Sequence, residues 1–297
     1  MSKLKQRQNY PLDLKIAMTR RRITDWYEHY EGAVYVSFSG GKDSTVLLHI
    51  VRQLYPDVEA VFVDTGLEYP EIRDFVKTID NVTWLKPKLP FNDVLEKYGY
   101  PIISKEQACY IDQHRNTKDD KLRKTRWYGK DGYTTKGVGK ISEKWKYLVD
   151  APFKISDRCC YVMKKAPVKN YETKSKKHGY LGSMADESSI RKLQYNLKGC
   201  NAFDAKRPIS TPLAFWLDAD IWQYIKQYDV KYSSIYDMGY KRTGCMFCLF
   251  GLHMESKPNR LDLLKKTHPK QYKYCMEKLG LREVLKWYMP QAELDLD

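Results

Sequence analysis

The tightest constraint on this chain lies between Ala33 and Tyr55, centred on Ser39-Gly40-Gly41-Lys42-Asp43-Ser44. Ala33 to Phe38 is an apolar run long enough for a buried strand and too short for a helix. Ser44 to Val51 carries apolar side chains on more than one helix face, which predicts a helix packed on a sheet. The glycine pair between them allows a tight turn and lets a ligand approach without a Cβ in the way. Serine and aspartate beside the turn are expected to cap the helix, leaving its first N–H groups as an anion site to which Lys42 adds a full charge. Strand, glycine turn, lysine and helix start predict a phosphate cradle. A purely structural turn would need neither Lys42 nor Asp43. A Walker A loop is excluded, because it has four residues between its first glycine and the Gly-Lys-Ser/Thr end.

Further along, Asp13 is a candidate N-cap for an amphipathic helix carrying Arg20-Arg21-Arg22, and Val58 to Asp64 reads as a second strand. That strand ends in Asp64-Thr65-Gly66-Leu67-Glu68, where the carboxyl end of a parallel strand would face a ligand. Val82 to Lys86, His178 to Gly182 and Pro208 to Leu213 complete five expected strands, and Asp218 opens a capped helix. Strands alternating with helices predict an α/β fold: a doubly wound, mostly parallel five-stranded sheet with helices on both faces. The expected organisation is a basic N-terminal helix over 1–31, a nucleotide-binding domain over 32–235, and a helical C-terminal region over 236–297. Residues 115–150 form a basic insertion, with eleven Lys or Arg against five Asp or Glu and Trp127, Tyr128, Tyr133, Trp145 and Tyr147 interleaved. Cations alternating with aromatics suit either a single-stranded nucleic-acid surface or a lid over a nucleotide.

The formal charge of +15 points to a polyanionic partner or substrate. No apolar run approaches a membrane span, and Met1 to Tyr10 has no apolar core of a signal peptide, so a cytoplasmic protein without a membrane partner is expected. Seven cysteines in such a chain indicate metal or redox chemistry more than a disulfide framework. Cys245-Met246-Phe247-Cys248 sets two thiolates on one turn, and Cys159-Cys160 can complete four sulfur ligands. Adjacent cysteines suit an iron–sulfur cluster better than tetrahedral zinc, because neighbouring side chains diverge. Cys109 and Cys275 read as buried small hydrophobes; Cys200 could line the cluster pocket or be a reactive thiol.

Ser39 to Ser44 resembles the PP-loop of the N-type ATP pyrophosphatases and the sulfonucleotide (PAPS) reductase family. The Cys-Cys pair followed some eighty-five positions later by Cys-x-x-Cys is similar to the cluster-binding pattern of adenylylsulfate reductases and of DndC-type DNA phosphorothioation enzymes. The resemblance implies an adenine nucleotide alpha hydrolase-like fold and a 4Fe–4S cluster on Cys159, Cys160, Cys245 and Cys248. It implies a nucleotide site drawn from Ser37, Ser39, Gly40, Gly41, Lys42, Asp43, Ser44, Asp64, Thr65, Gly66, Gly182, Glu187 and Arg191, with Lys42 and Asp43 catalytic. ATP with Mg2+ is the expected nucleotide, adenylating an acceptor for which a nucleic acid is the candidate, with a sulfur donor or reductant protein as a further partner. Two departures are visible. Met184 stands where the family's Gly-x-Arg-x-x-Glu-Ser segment has its first arginine, and no cysteine occurs in the tail from Gln291 to Asp297. A reductase making sulfite, with Cys200 or Cys275 as a displaced nucleophile, and a non-catalytic nucleic-acid-binding regulator are the alternatives.

Overall fold

The computed structural model describes residues 2–129 and 139–289; residues 130–138 of the basic insertion and 290–297 of the tail lie outside the described residues. The chain divides into two compact units, one of residues 1–64, 68–86 and 167–243, the other of 65–67, 87–166 and 244–297. The N-terminal helices therefore belong with the first unit and the insertion with the second, and the first unit runs on past 235 to Thr243.

The first unit begins with α1 (Lys3–Gln8), α2 (Leu12–His29), β1 (Val34–Ser37), α3 (Lys42–Leu54), β2 (Ala60–Val63), α4 (Pro70–Lys77) and β3 (Val82–Leu85). The second takes α5 (Phe91–Tyr98), β4 (Ile102–Ile103), α6 (Lys105–Asn116), α7 (Asp120–Tyr128) and α8 (Arg158–Cys160). The first resumes with α9 (Ala166–Ser175), β5 (His178–Leu181), α10 (Ser189–Lys198), β6 (Asn201–Ala202), β7 (Ile209–Ser210) and α11 (Asp218–Gln227). The second closes with β8 (Leu249–Phe250), α12 (Arg260–Thr267), α13 (Pro269–Lys273) and α14 (Leu281–Tyr288).

In the first unit the sheet order is β3-β2-β1-β5-β7-β6, parallel throughout except for the β6–β7 pair. The five expected strands are present. The sixth, β6, is two residues long and gives no periodicity to read. Successive side chains on a strand point to opposite faces. On one face Tyr35 meets Tyr171 of α9, ring centroids 5.2 Å apart; on the other, Tyr180 donates its hydroxyl proton to the Ile23 carbonyl of α2 at 2.8 Å. Helices thus cover both faces. The chain steps from β1 outward to β3, then returns to place β5 and β7 on the other side of β1, so the loops after β1 and β5 meet at a topological switch point.

Two expected caps are corrected. Pro11, in extended backbone, precedes α2, and Asp13 sits inside the first turn, where its charge suits the positive helix end. Gly41, not a serine or aspartate, is the N-cap of α3, because Ser39 and Ser44 spend their hydroxyls closing the turn.

In the second unit β4 and β8 pair in parallel, and Leu148, Leu249, Leu252 and Leu285 are fully buried around them. Trp145 of the insertion is buried against His253 and Tyr288. Arg126 stacks 4.2 Å from the Tyr110 ring centroid, and the Lys146 ammonium lies 4.5 Å from that of Trp127. These two cations of the insertion therefore stack on rings within the second unit. No described helix is long and apolar enough to cross a membrane.

Candidate functional site

The loop after β1 is built by short local bonds. The Ser39 amide donates to Ser44 Oγ at 3.1 Å, the two hydroxyls lie 3.0 Å apart, and the Ser44 hydroxyl donates to the Gly41 carbonyl at 2.9 Å. Gly40 has φ +71°, and a Cβ there would stand 2.8 Å from Ile72 and 2.9 Å from Val76. Only glycine fits. A Cβ on Gly182 would meet the Asp43 and Ser44 backbone at 3.0 Å, so the bare backbone after β5 lies against the first turn of α3.

Lys42 is buried, yet charged partners surround it. Its Nζ lies 2.8 Å from Asp43 Oδ1 and 2.5 Å from Asp218 Oδ1, and its amide donates to the Tyr236 hydroxyl at 2.8 Å. Burial pulls the Lys42 pKa down, but the hydrogen bonds to Asp218 and Asp43 outweigh it and leave the pKa raised. Burial raises the Asp43 pKa; Lys42 opposes that shift, while the charges of Glu187 and Asp218 add to it. Tyr236 and Thr243, 3.4 Å apart, wall the loop beside Gly41.

Of the other expected nucleotide residues, Ser37 ends β1 between Val61 and Leu181. Asp64 pairs with Arg73 at 2.9 Å. Glu187 accepts the Met184 amide at 2.8 Å and forms an ion pair with Arg191, one turn on. These belong to the first unit, whereas Thr65 and Gly66 belong to the second. There Thr65 Oγ1 accepts the Leu67 amide, and the Leu67 carbonyl accepts the Met246 amide at 2.9 Å. Asp218, Tyr236 and Thr243 escaped the reading of the sequence. Asp218 was visible only as a helix start, and Thr243 only as the residue two before Cys245.

All four cysteines of the expected cluster fall in the second unit. Cys159 donates its S–H to Cys160 at 4.0 Å. That bond raises the Cys159 pKa, burial and the charges of Cys160, Cys248 and Cys245 adding to the rise. Cys160 is held low, first by the same bond and then by Lys105 and Lys164. Burial raises Cys248; the Cys160 charge adds to this, and Arg260 and Lys105 oppose it. The Arg260 guanidinium also donates to the Cys248 and Phe250 carbonyls at 3.2 and 3.1 Å. The four thiols are thus within electrostatic reach of one another and ringed by cations. A single tetrahedral ion with bonds near 2.3 Å would need its sulfurs roughly 3.8 Å apart. Among the described residues no three donors are drawn together in that way. A larger iron–sulfur group spreads its ligands more widely, and four thiolates are its usual donors, so the donor set fits such a cluster chemically.

Cys200 stands apart, buried in the first unit with its pKa pushed up to about 11 by burial. Cys275 is fully buried and its thiol likewise raised.

The first unit is thus a doubly wound, mostly parallel α/β fold with a glycine–lysine turn at its switch point. The phosphoadenosine phosphosulfate reductase domain family matches residues 33–130 and 129–249, and the chain belongs to that family, within the PP-loop superfamily. It is 31% identical over 230 residues to an uncharacterised protein of Methanocaldococcus jannaschii, the match covering 75% of this chain and only 43% of that protein. It is 23% identical over 238 residues to the adenosine 5'-phosphosulfate reductase of Staphylococcus epidermidis, covering 76% of this chain and 74% of the reductase. Among solved structures it is similar to a phosphoadenylyl-sulfate reductase of Candida auris, with TM-score 0.46, 15% identity and 76% and 87% of the two chains covered. A U34-tRNA thiolase, NcsA, of Methanococcus maripaludis with its [4Fe-4S] cluster gives TM-score 0.42, 14% identity and coverage of 93% and 82%.

Proposed function

We propose that the chain is an enzyme that binds an adenine nucleotide on the loop from Ser39 to Ser44 and carries a 4Fe–4S cluster on Cys159, Cys160, Cys245 and Cys248. The observation that carries this reading is Lys42, a buried ammonium at the head of α3 on a loop that closes only around glycine. Backbone and lysine there suit a phosphate chain. ATP is the favoured nucleotide, with the loop holding the pyrophosphate leaving group, Lys42 offsetting the charge that develops on it, and Asp43 placed to orient a bound Mg2+. Asp64 would lie toward the nucleoside. The buried Met184, in place of an arginine, removes a bidentate partner for a sulfate group and so favours ATP over a sulfonucleotide. When bound, the cluster would supply electrons or an iron site for sulfur. A nucleic acid is the proposed acceptor, on the strength of the +15 charge.

The second reading, a sulfonucleotide reductase producing sulfite, is favoured by the adenosine 5'-phosphosulfate reductases among the relatives. The burial of Cys200 and Cys275 argues against either as its nucleophile. Anaerobic purification followed by iron and sulfide analysis, with calorimetric binding of ATP and of both sulfonucleotides, separates the two. The expected result is near four irons per chain and ATP bound more tightly than either sulfonucleotide. Thiol-dependent sulfite release would install the second reading, and failure to bind any adenine nucleotide would end both.

A further inference from the structure

We infer that Asp218 is a displaceable counter-ion for Lys42 that makes the loop select multiply charged phosphate chains over weakly charged anions. The inference rests on the nucleotide reading above and deepens it.

Lys42 Nζ is held between two carboxylates and lies 5.9 Å from the centroid of the Trp222 ring. The partners differ. Asp43 is the next residue on α3 and its side chain is 29% exposed; Asp218 reaches in from the first turn of α11 and is 65% exposed. One ammonium between two carboxylates leaves a local charge of about −1, so an arriving anion meets no unopposed cation. It must take the place of one carboxylate. Asp43 is tied to the helix that carries Lys42, whereas Asp218 can turn into water at small cost, as exposed ion-pair partners do. A pyrophosphate arm, with several charges and several acceptor oxygens, outcompetes a single carboxylate for Lys42. A weakly charged anion does not.

The test is calorimetric titration of inorganic pyrophosphate and inorganic phosphate into the full chain, with EDTA present so that no metal bridges the anions. Wild type, Asp218→Asn and Lys42→Met are compared, with Asp218→Asn also made in the Lys42→Met background. The amide preserves size at the start of α11, and a thermal melt monitors folding. Asp218→Asn should bind pyrophosphate about two- to fivefold more tightly than wild type, with a larger relative gain for phosphate. The gain should vanish in the Lys42→Met background, which a merely structural role for Asp218 would not produce. Binding in Asp218→Asn but not in wild type would also support the inference. Wild-type binding that Asp218→Asn leaves unchanged or weakens overturns it and leaves the nucleotide reading standing. Absence of pyrophosphate binding in both overturns the inference, while the nucleotide reading is decided separately by the ATP titration with Mg2+ present.

Discussion

The nucleotide loop and the thiol quartet are assembled in opposite ways. The serine hydrogen bonds that close the turn from Ser39 to Ser44 each span five residues or fewer, while the Lys42 contacts to Tyr236 and Asp218 reach across the chain. The quartet draws two cysteines from α8 and two from a turn before β8, with an S–H hydrogen bond from Cys159 to Cys160 inside the first pair. A local device can be complete in the bare protein. A device built from distant segments has no such local closure, because nearby thiols that ionise repel one another.

If that contrast holds, the two sites fail independently. Lys42→Ala should lower nucleotide turnover by at least roughly a hundredfold, the scale of losing a key transition-state contact, while iron content stays at the wild-type level. Cys248→Ser should lose most of the iron and the visible absorption, while calorimetric ATP affinity changes less than about twofold. Loss of iron in Lys42→Ala, or of ATP affinity in Cys248→Ser, would break the separation.

The preformed loop can be tested through its glycine. Gly40→Ala adds a Cβ within 3 Å of both Ile72 and Val76 at a left-handed φ, combining overpacking with backbone strain. A loss of about 2 to 4 kcal/mol in chemical denaturation is expected. A loss under about 0.5 kcal/mol would mean that the loop rearranges freely.

Thiol chemistry sharpens the other half. Cys200, raised to about 11 by burial, stays almost wholly protonated near pH 8, whereas Cys160 is held low by the hydrogen bond from Cys159 and then by Lys105 and Lys164. Iodoacetamide labelling of chelator-treated protein, read by mass spectrometry, should modify Cys160 first and reach Cys200 and Cys275 only on unfolding. Early labelling of Cys200 would reopen it as a reactive thiol.

The same contrast explains what could be read without coordinates. The strand, glycine turn and helix from Val34 to Leu54 announce themselves because their causes lie within one short window. β2, β3 and β5 follow from short runs of strand-forming residues and β7 from the prolines that bound it, whereas β6, equally short, has no such punctuation. Asp218 and Tyr236 were missed as partners of Lys42 because each lies more than 170 residues away, where no spacing rule applies. Arg260, which grips the carbonyls after the Cys-x-x-Cys turn, resembles any helix-starting arginine in the sequence. The expected helix caps failed for a related reason. Ser39 and Ser44 are good capping residues in isolation, but each was already engaged by the other.

The smallest predicted effect concerns the sheet on which the loop is mounted. Glu59, just before β2, accepts hydrogen bonds from Thr83 at 2.9 Å and Lys177 at 2.5 Å, and from the Tyr171 hydroxyl. Burial alone would raise its pKa, but Lys177, Tyr171 and Thr83 outweigh it and leave the group below its ordinary value of 4.5. A carboxylate lowered by folding stabilises the folded state above its unfolded pKa, and that contribution is lost as pH falls through the folded value. Glu59→Gln should therefore cost about 1 kcal/mol at pH 7, the scale of hydrogen bonds to a charged group partly open to solvent. Wild type and variant should converge as the pH drops below 4.5. Denaturant melts at pH 7, 5, 4 and 3 measure the difference directly, and a gap that persists unchanged at pH 3 would show that Glu59 acts through packing and not through its charge.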